Sequence, residues 1–363
     1  MIATKQKMIR LGIDGGSLVP SRMVRGGIER LVDAFIKSLA HLHSTDKSWF
    51  YYFFSNKKEN FKNDIYSPKQ IPEKLYSTVF LPLYIFFDKI DIYLGFSGVL
   101  PQLIRVLKKK SIIFIHDLAF YETPQNYKDP ARMRWQTEYA LFGSDKIVVF
   151  SDHIKKQIFT RFPTIRKEKV VRIYPGSDHI KKQYQTIKNK GLYFLYVGVI
   201  KKAKNIEHLL ECFNLFLLKA KDLSVKLILV GSREENYYRT IIDSPIYQKT
   251  KNNIVFAGTV SDEELAGYYK GAIAVLNVSS DEGFCYPVIE GLVMEKHVIV
   301  NDIPLYKEFQ PFFLNLHIEK NTLDFISRMH SVMTLPKPKK PNSNPFTWST
   351  FTKEVLQVID KLI

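Results

Sequence analysis

Cysteine is almost absent: Cys212 and Cys285 are the only two in 363 residues. One falls in a helical pattern and the other in a polar loop. No disulfide framework is therefore expected, and a reducing compartment is. Long apolar runs are missing as well. The most apolar short stretch, residues 81–87, contains Pro82 and is far below the roughly 20 residues a spanning helix needs. The first ten residues lack the apolar core of a signal peptide, so a cytoplasmic protein is expected. No Asp-x-Asp pair occurs anywhere, and no metal bridging a diphosphate is expected. The Gly-x-Gly-x-x-Gly dinucleotide fingerprint does not follow the first apolar strand. Histidines have no ligand spacing around cysteine or acidic partners, and His179 among them is taken as an ordinary residue.

Acidic residues are also scarce, 36 against 53 basic ones, which leaves a formal charge of +17. Such a surplus needs an anionic partner: nucleic acid, a membrane surface or a charged substrate. Lysines cluster at 108–110, 201–204 and 337–340, but none of these lies in a helix-turn-helix, zinc-finger or RNA-binding signature. No nucleic-acid partner is expected. An anionic membrane surface fits the charge.

What is present is the composition of a globular protein, 45% hydrophobic and 25% charged, long enough for two domains with real cores. Apolar strands are read at residues 8–14, 49–54, 91–94, 111–115, 146–150 and 169–173, and again at 193–197, 225–230, 254–260, 272–278 and 297–300. Helical periodicity separates many of them, as in Ile28, Leu31, Val32, Phe35, Ile36 and Leu39. Residues 59–74 read as a loop with a short helix and 99–107 as helical. Alternation in both halves predicts an α/β chain of two doubly wound, Rossmann-like domains facing one cleft. The expected domains are residues 1–180 and 191–340, with a linker over 181–190, a lysine- and proline-rich stretch at 336–345 and a terminal helix at 346–363.

The chemistry concentrates in residues 276–304. A strand end is followed by Ser279-Ser280-Asp281-Glu282-Gly283, then Phe284-Cys285-Tyr286 and Pro287, which suits the first position of a helix. Glycine before a helix start offers free N–H groups and a positive dipole end, the setting for a phosphate. Carboxylates beside it suit hydroxyls instead. Glu290, one turn into the helix, is placed for ribose hydroxyls and Glu282 for those of a sugar. Gly26-Gly27 before the first helix makes a second phosphate approach. His116-Asp117 sits at the carboxyl end of a strand, where ligands of open α/β sheets bind.

The run Glu282-Gly283-Phe284-x-x-Pro287-x-x-Glu290 resembles the signature of the retaining GT-B glycosyltransferases of family four. Ile115-His116-Asp117-Leu118-x-Phe120, Lys204-Asn205 after Gly198, and Asp302-Ile303-Pro304 are similar to further motifs of that family. The resemblance covers most of residues 8–304. It implies a GT-B fold whose terminal helix crosses back to the first domain. It also implies transfer of a hexosyl group, with retention, from a nucleoside diphosphate sugar to a glycan or lipid-linked glycan. No cofactor is implied beyond that co-substrate, and GDP-mannose is favoured because the glycine loop and His-Asp run look most like bacterial polysaccharide mannosyltransferases.

By the same resemblance Glu282, His116 and Lys204 are the catalytic residues. Gly26, Gly27, Lys204, Val260, Gly283, Phe284, Cys285, Tyr286 and Glu290 hold the donor, and no residue binds metal. The family usually carries arginines ahead of Lys204, where this chain has Val199 and Ala203. That departure motivates an alternative, a non-catalytic sugar-nucleotide-binding or scaffold subunit of the same fold.

Overall fold

The structure is a computed structural model that describes residues 8–18, 26–42, 46–55, 58, 64–181, 191–220, 224–339 and 344–363. Parts of the connection before the first helix (19–25), of the 59–74 stretch (59–63), of the linker (182–190) and of the lysine- and proline-rich stretch (340–343) lie outside the described residues. By their contacts the residues form two units, one of residues 1–176 with 348–363 and one of 177–347.

The first unit alternates strand and helix: β1 (Ile9–Gly16), α1 (Gly27–Leu39), β2 (Lys47–Phe53), β3 (Tyr66–Gln70), α2 (Leu81–Phe87), β4 (Ile92–Gly95) and β5 (Lys110–Ile115). It continues with α3 (Ala119–Glu122), α4 (Pro130–Gly143), β6 (Lys146–Val149), α5 (Asp152–Arg161) and β7 (Val170–Arg172). The strands pair in parallel in the order β3-β2-β1-β4-β5-β6-β7. The direction in which strands are added reverses between β1 and β4, the switch point at whose carboxyl ends ligands of such sheets bind. A parallel sheet is covered on both faces, which is why Ile112, Ile113 and Phe114 of β5 are all fully buried.

Two readings are corrected here. Residues 66–70 form an edge strand rather than loop or helix, paired only to β2. Within 99–107 only Gln102–Ile104 makes a short 3₁₀ turn; residues 105–108 follow as a non-helical turn in which Lys108 is left-handed (φ 51°).

The second unit runs β8 (Tyr193–Val197), α6 (Ile206–Lys219), β9 (Lys226–Val230), α7 (Glu235–Asp243), α8 (Pro245–Thr250), β10 (Ile254–Gly258), α9 (Asp262–Gly271) and β11 (Ala274–Asn277). There follow α10 (Tyr286–Val293), β12 (His297–Asn301), α11 (Pro304–Phe309), β13 (Leu316–Glu319) and α12 (Thr322–Val332). Its parallel order, β10-β9-β8-β11-β12-β13, has its switch point between β8 and β11. Helices α6 and α12 bury Leu209, Leu210, Phe213, Phe216, Phe325 and Met329 in one continuous core with β8, β9 and β11. Strand ends crowd at the carboxyl edge. A Cβ on Gly231 would fall 2.1 Å from the Gly198 carbonyl oxygen, and φ there is 142°, so only glycine fits.

The last helix, α13 (Trp348–Asp360), belongs to the first unit. It buries Trp348, Phe351, Val355, Val358 and Ile359, and Phe351 meets Phe35 of α1 at 6.2 Å between ring centres.

Candidate functional site

Each unit gathers polar side chains at the carboxyl end of its sheet, beside its switch point. In the second unit β8 passes through Gly198 into a 3₁₀ turn, Lys202–Lys204. Asn205 then takes a left-handed backbone (φ 54°, ψ 45°) and starts α6. This turn points Lys204 at the loop after β11, where its Nζ donates to Glu282 Oε1 at 2.5 Å. Both side chains are mostly shielded, at 24% and 11% exposure.

The loop carrying Glu282 is fixed from beneath by Asn277, the buried last residue of β11. Its Oδ1 accepts from the Ser279 N–H at 3.0 Å and from the Tyr306 hydroxyl at 2.9 Å, and its Nδ2 donates to Cys285 Sγ at 3.4 Å. Cys285 itself adopts φ 60°, ψ 72° to open α10. Pro287 is thus the second helical residue, not the first as the sequence reading had it. Burial pushes the Cys285 thiol well above its ordinary range, and the neighbouring Glu282 charge adds to this. A neutral buried thiol is no nucleophile. Phe284 turns inward onto Tyr286, Phe309 and Phe346, so this stretch has its backbone rather than its side chains to offer a ligand.

Glu290, 3% exposed, accepts from the Tyr269 hydroxyl at 2.8 Å through Oε2, while Oε1 lies 3.3 Å from His179 Nε2. Tyr269 comes from α9, whose start is fixed by a reciprocal cap: Ser261 Oγ accepts from Glu264 N–H at 3.2 Å and Glu264 returns to Ser261 N–H at 2.9 Å. Val260 immediately precedes that cap, after β10, which lies two strands from β8. The structure therefore joins Lys204 to Glu282, keeps Gly283, Phe284 and Cys285 in one loop with Tyr286 opening the helix after it, and connects Glu290 to α9.

In the first unit the switch point is occupied by Asp14 of β1, buried and met by four donors. Tyr76 hydroxyl (2.8 Å) and Gly16 N–H (2.9 Å) reach Oδ1; Ser97 (2.7 Å) and Tyr93 (3.2 Å) hydroxyls reach Oδ2. Burial, with Asp14's charge behind it, pushes the Tyr76 and Tyr93 phenols well above their ordinary value, so both remain donors. His116 follows β5 and points its Nε2 at the Phe96 carbonyl, 2.6 Å away. A carbonyl can only accept, so Nε2 carries the proton and Nδ1 of the neutral ring is an acceptor. Burial lowers the imidazole's pKa, opposed in part by the Phe96 bond and Asp117. Asp117 accepts from Ala119 N–H at 3.2 Å and so shapes the start of α3. Gly26 caps α1, its N–H bonded to Glu29 at 3.1 Å, and both Gly26 and Gly27 are exposed.

Reading by sequence missed Asp14, Asn277, Tyr269 and Tyr306, and it treated His179 as ordinary. Asp14 and Asn277 do carry a signal: each is a lone polar residue at the end of an apolar strand, placed to fall at a carboxyl edge. Tyr269, Tyr306 and His179 carry none.

Residues 177–323 match the family of glycosyl transferases group 1. The group 1 match thus runs from the start of the second unit past β13 and contains Lys204, Glu282 and Glu290. Among curated relatives, the O-antigen chain mannosyltransferase RfbU of Salmonella typhimurium is 28% identical over 205 residues, 56% of this chain and 55% of that protein. The chain thus spans little more than half the length of that relative. Among solved structures, sucrose-phosphate synthase from Thermosynechococcus elongatus superposes with a TM-score of 0.74 at 16% identity, covering 98% of this chain and 99% of that one. Anabaena Alr3699/HepE, in complex with UDP and glucose, gives 0.67 at 12% identity, covering 98% and 99%. The fold is the GT-B type, two parallel-sheet Rossmann-like domains. Among the described residues no helix is long and apolar enough to cross a membrane.

Proposed function

We propose that the chain is a retaining GT-B glycosyltransferase that moves a hexosyl group from a nucleoside diphosphate sugar to a glycan or lipid-linked glycan, in surface polysaccharide or glycoconjugate synthesis. The observation that carries the reading is the Lys204–Glu282 pair at the second unit's switch point, with Glu290 one turn into the helix that follows. An ammonium, a helix start and two carboxylates meet the needs of a diphosphate flanked by hydroxyl-bearing sugars.

In this reading Lys204 and the N–H groups of Gly283 to Tyr286 offset the charge that grows on the diphosphate as the glycosidic bond breaks. Gly27 offers an N–H group to a phosphate, the Gly26 N–H being held by Glu29, and the backbone at Val260 borders the base. Glu290 accepts from the ribose hydroxyls. Glu282 holds donor-sugar hydroxyls while an oxocarbenium-like centre develops. His116, its Nε2 held by Phe96, has Nδ1 left as an acceptor for a sugar hydroxyl. No Asp-x-Asp clamp is present in the sequence, so the transfer is expected to run without a bridging metal. Mannose, from GDP-mannose, is the first choice of sugar, supported by the likeness to the Salmonella mannosyltransferase. The acceptor and an attachment to an anionic membrane rest on the basic charge.

A second reading, a sugar-nucleotide-binding subunit without catalysis, rests on Val199 and Ala203 standing where the family usually has arginines. Val199 is 38% exposed and offers a diphosphate no charge.

The test is a thermal-shift panel of GDP, UDP and ADP and their sugar conjugates without added metal. Ligand binding to the folded chain should raise the midpoint with one base. Glu290→Ala should then weaken that donor by about 1.5–3 kcal/mol, the worth of hydrogen bonds to a charged group. Donor hydrolysis without acceptor separates enzyme from scaffold. A flat panel would sink the glycosyltransferase reading and leave the scaffold subunit.

A further inference from the structure

The face of the first unit that carries α2 has apolar side chains where solvent would be expected. One helical rod is formed by a π-helical turn, Tyr76–Phe80, running straight into α2. It buries Leu81, Pro82 and Ile85 inward. Outward it shows Leu75, Val79, Leu83, Phe86 and Phe87, from 37% to 72% exposed. Within α2, Leu83 and Phe86 are three apart and share a face, with Phe87 beside them. The neighbouring turn adds Leu103 at 41% and Val106 at 74%. Helix α4 adjoins both through the Tyr139 hydroxyl, which donates to the Gln102 carbonyl at 2.8 Å, and through a groove lined by Ser77, Thr78, Gln102 and Trp135. The exposed phenyl and indole rings of the described residues, Phe86, Phe87, Trp135 and Phe142, all belong to α2 and α4.

Phe86 and Phe87 meet each other at 5.6 Å between ring centres, and exposed apolar side chains gathered on adjoining elements mark a surface that meets something apolar. The charges around them say what. Lys74 opens the rod, Lys89 follows it by two residues, and Arg105, Lys108 and Lys109 surround and follow Val106. The acidic residues of the same segment are few, and Asp88 is engaged by Lys69 at 3.5 Å and by the Tyr52 hydroxyl at 3.0 Å. A second copy of this chain would set cation against cation. An anionic bilayer instead offers acyl chains to the rings and phosphates to the lysines, which can extend toward the headgroups.

We propose that this face, centred on Phe86, Phe87 and Val106, docks the protein on an anionic lipid bilayer. The proposal rests on the glycosyltransferase reading only for its purpose, bringing the enzyme to a lipid-linked acceptor. Docking itself needs neither donor nor acceptor.

The experiment is flotation of the full chain with phosphatidylcholine vesicles with and without phosphatidylglycerol. Co-flotation is expected with the anionic vesicles and not with the neutral ones, and to weaken as salt rises. Phe86→Ser combined with Phe87→Ser, which spares the buried side of α2, should weaken partition roughly tenfold or more, because two rings no longer leave water. Val106→Ser, on a separate element, should weaken it less. An unchanged thermal midpoint and nucleotide response would certify that these variants fold. Wild-type protein that ignores anionic vesicles, or binds neutral ones equally, would overturn the proposal. So would ring variants that bind like wild type, or a concentration-dependent dimer that the same substitutions abolish. A flat nucleotide panel with vesicle binding intact would sink the glycosyltransferase reading alone.

Discussion

Lys204 and Glu282 neutralise each other at 2.5 Å. On the proposed glycosyltransferase reading, a diphosphate would compete with Glu282 for the ammonium, and would be accepted best when a sugar engages the carboxylate in exchange. The same reading has the complete donor favoured over the spent nucleotide. Glu282→Gln removes the competitor while keeping a hydrogen-bonding side chain. The variant should bind the sugar-free nucleoside diphosphate roughly fivefold more tightly, the scale of a partly screened ion pair. Its transfer rate should fall, on the order of a hundredfold, since the charge facing the developing cation is gone. Calorimetric titration and initial rates would check both halves. Weaker nucleotide binding with unchanged transfer would remove the pair from the donor site.

Among elements, those with apolar runs were legible and those defined by packing were not. Strands β5, β8 and β9 announce themselves, because a strand buried on both faces must be apolar throughout. Strand β3 is Tyr-Ser-Pro-Lys-Gln, and a proline among polar residues argues against a strand unless it lies at a sheet edge, as this one does. The glutamate–glycine run was readable for the same local reason, since loop, cap and helix lie within nine residues. The partners of Glu290 were not, because His179 and Tyr269 reach it from other elements. The imidazole pair across β12 and β13 was equally invisible. His297 Nε2 lies 3.0 Å from the Pro336 carbonyl, so it holds the proton, and Nδ1 then accepts from His317 Nε2, also at 3.0 Å.

That pair works only while both rings are neutral. Burial, with Arg328 and His297 adding to it, lowers the His317 pKa to about 4. Burial likewise lowers His297. An unfolded histidine titrates near 6.5, so between about pH 6.5 and 4 the unfolded chain binds more protons than the folded one. Stability contributed by the pair is therefore complete above that window and falls as pH drops through it. The urea midpoint should decline from pH 7.5 to pH 5, and His317→Gln should flatten part of the decline. A wild-type midpoint constant over this range would contradict the assignment.

At the scale of the whole molecule, the last helix in sequence closes the first unit rather than the second. Phe351 of α13 is fully buried against Phe35, Phe114 and Phe150, rings supplied by α1, β5 and the end of β6. The first unit therefore cannot complete its core until the second has been synthesised, and its contacts span the greatest sequence separations in the chain. Non-local closure of this kind is slow and leaves apolar surface waiting, which favours a second unit that folds within its own contiguous sequence. The two units should then respond differently to damage in this cluster. Phe351→Ala leaves a cavity under α13 and should cost about 3–5 kcal/mol. In scanning calorimetry one transition should move down, while the transition that nucleotide raises, on the proposed reading that of residues 177–347, should keep its midpoint. If both fell together, the units would melt as one cooperative body and the nucleotide site would depend on a ring far outside its own sheet.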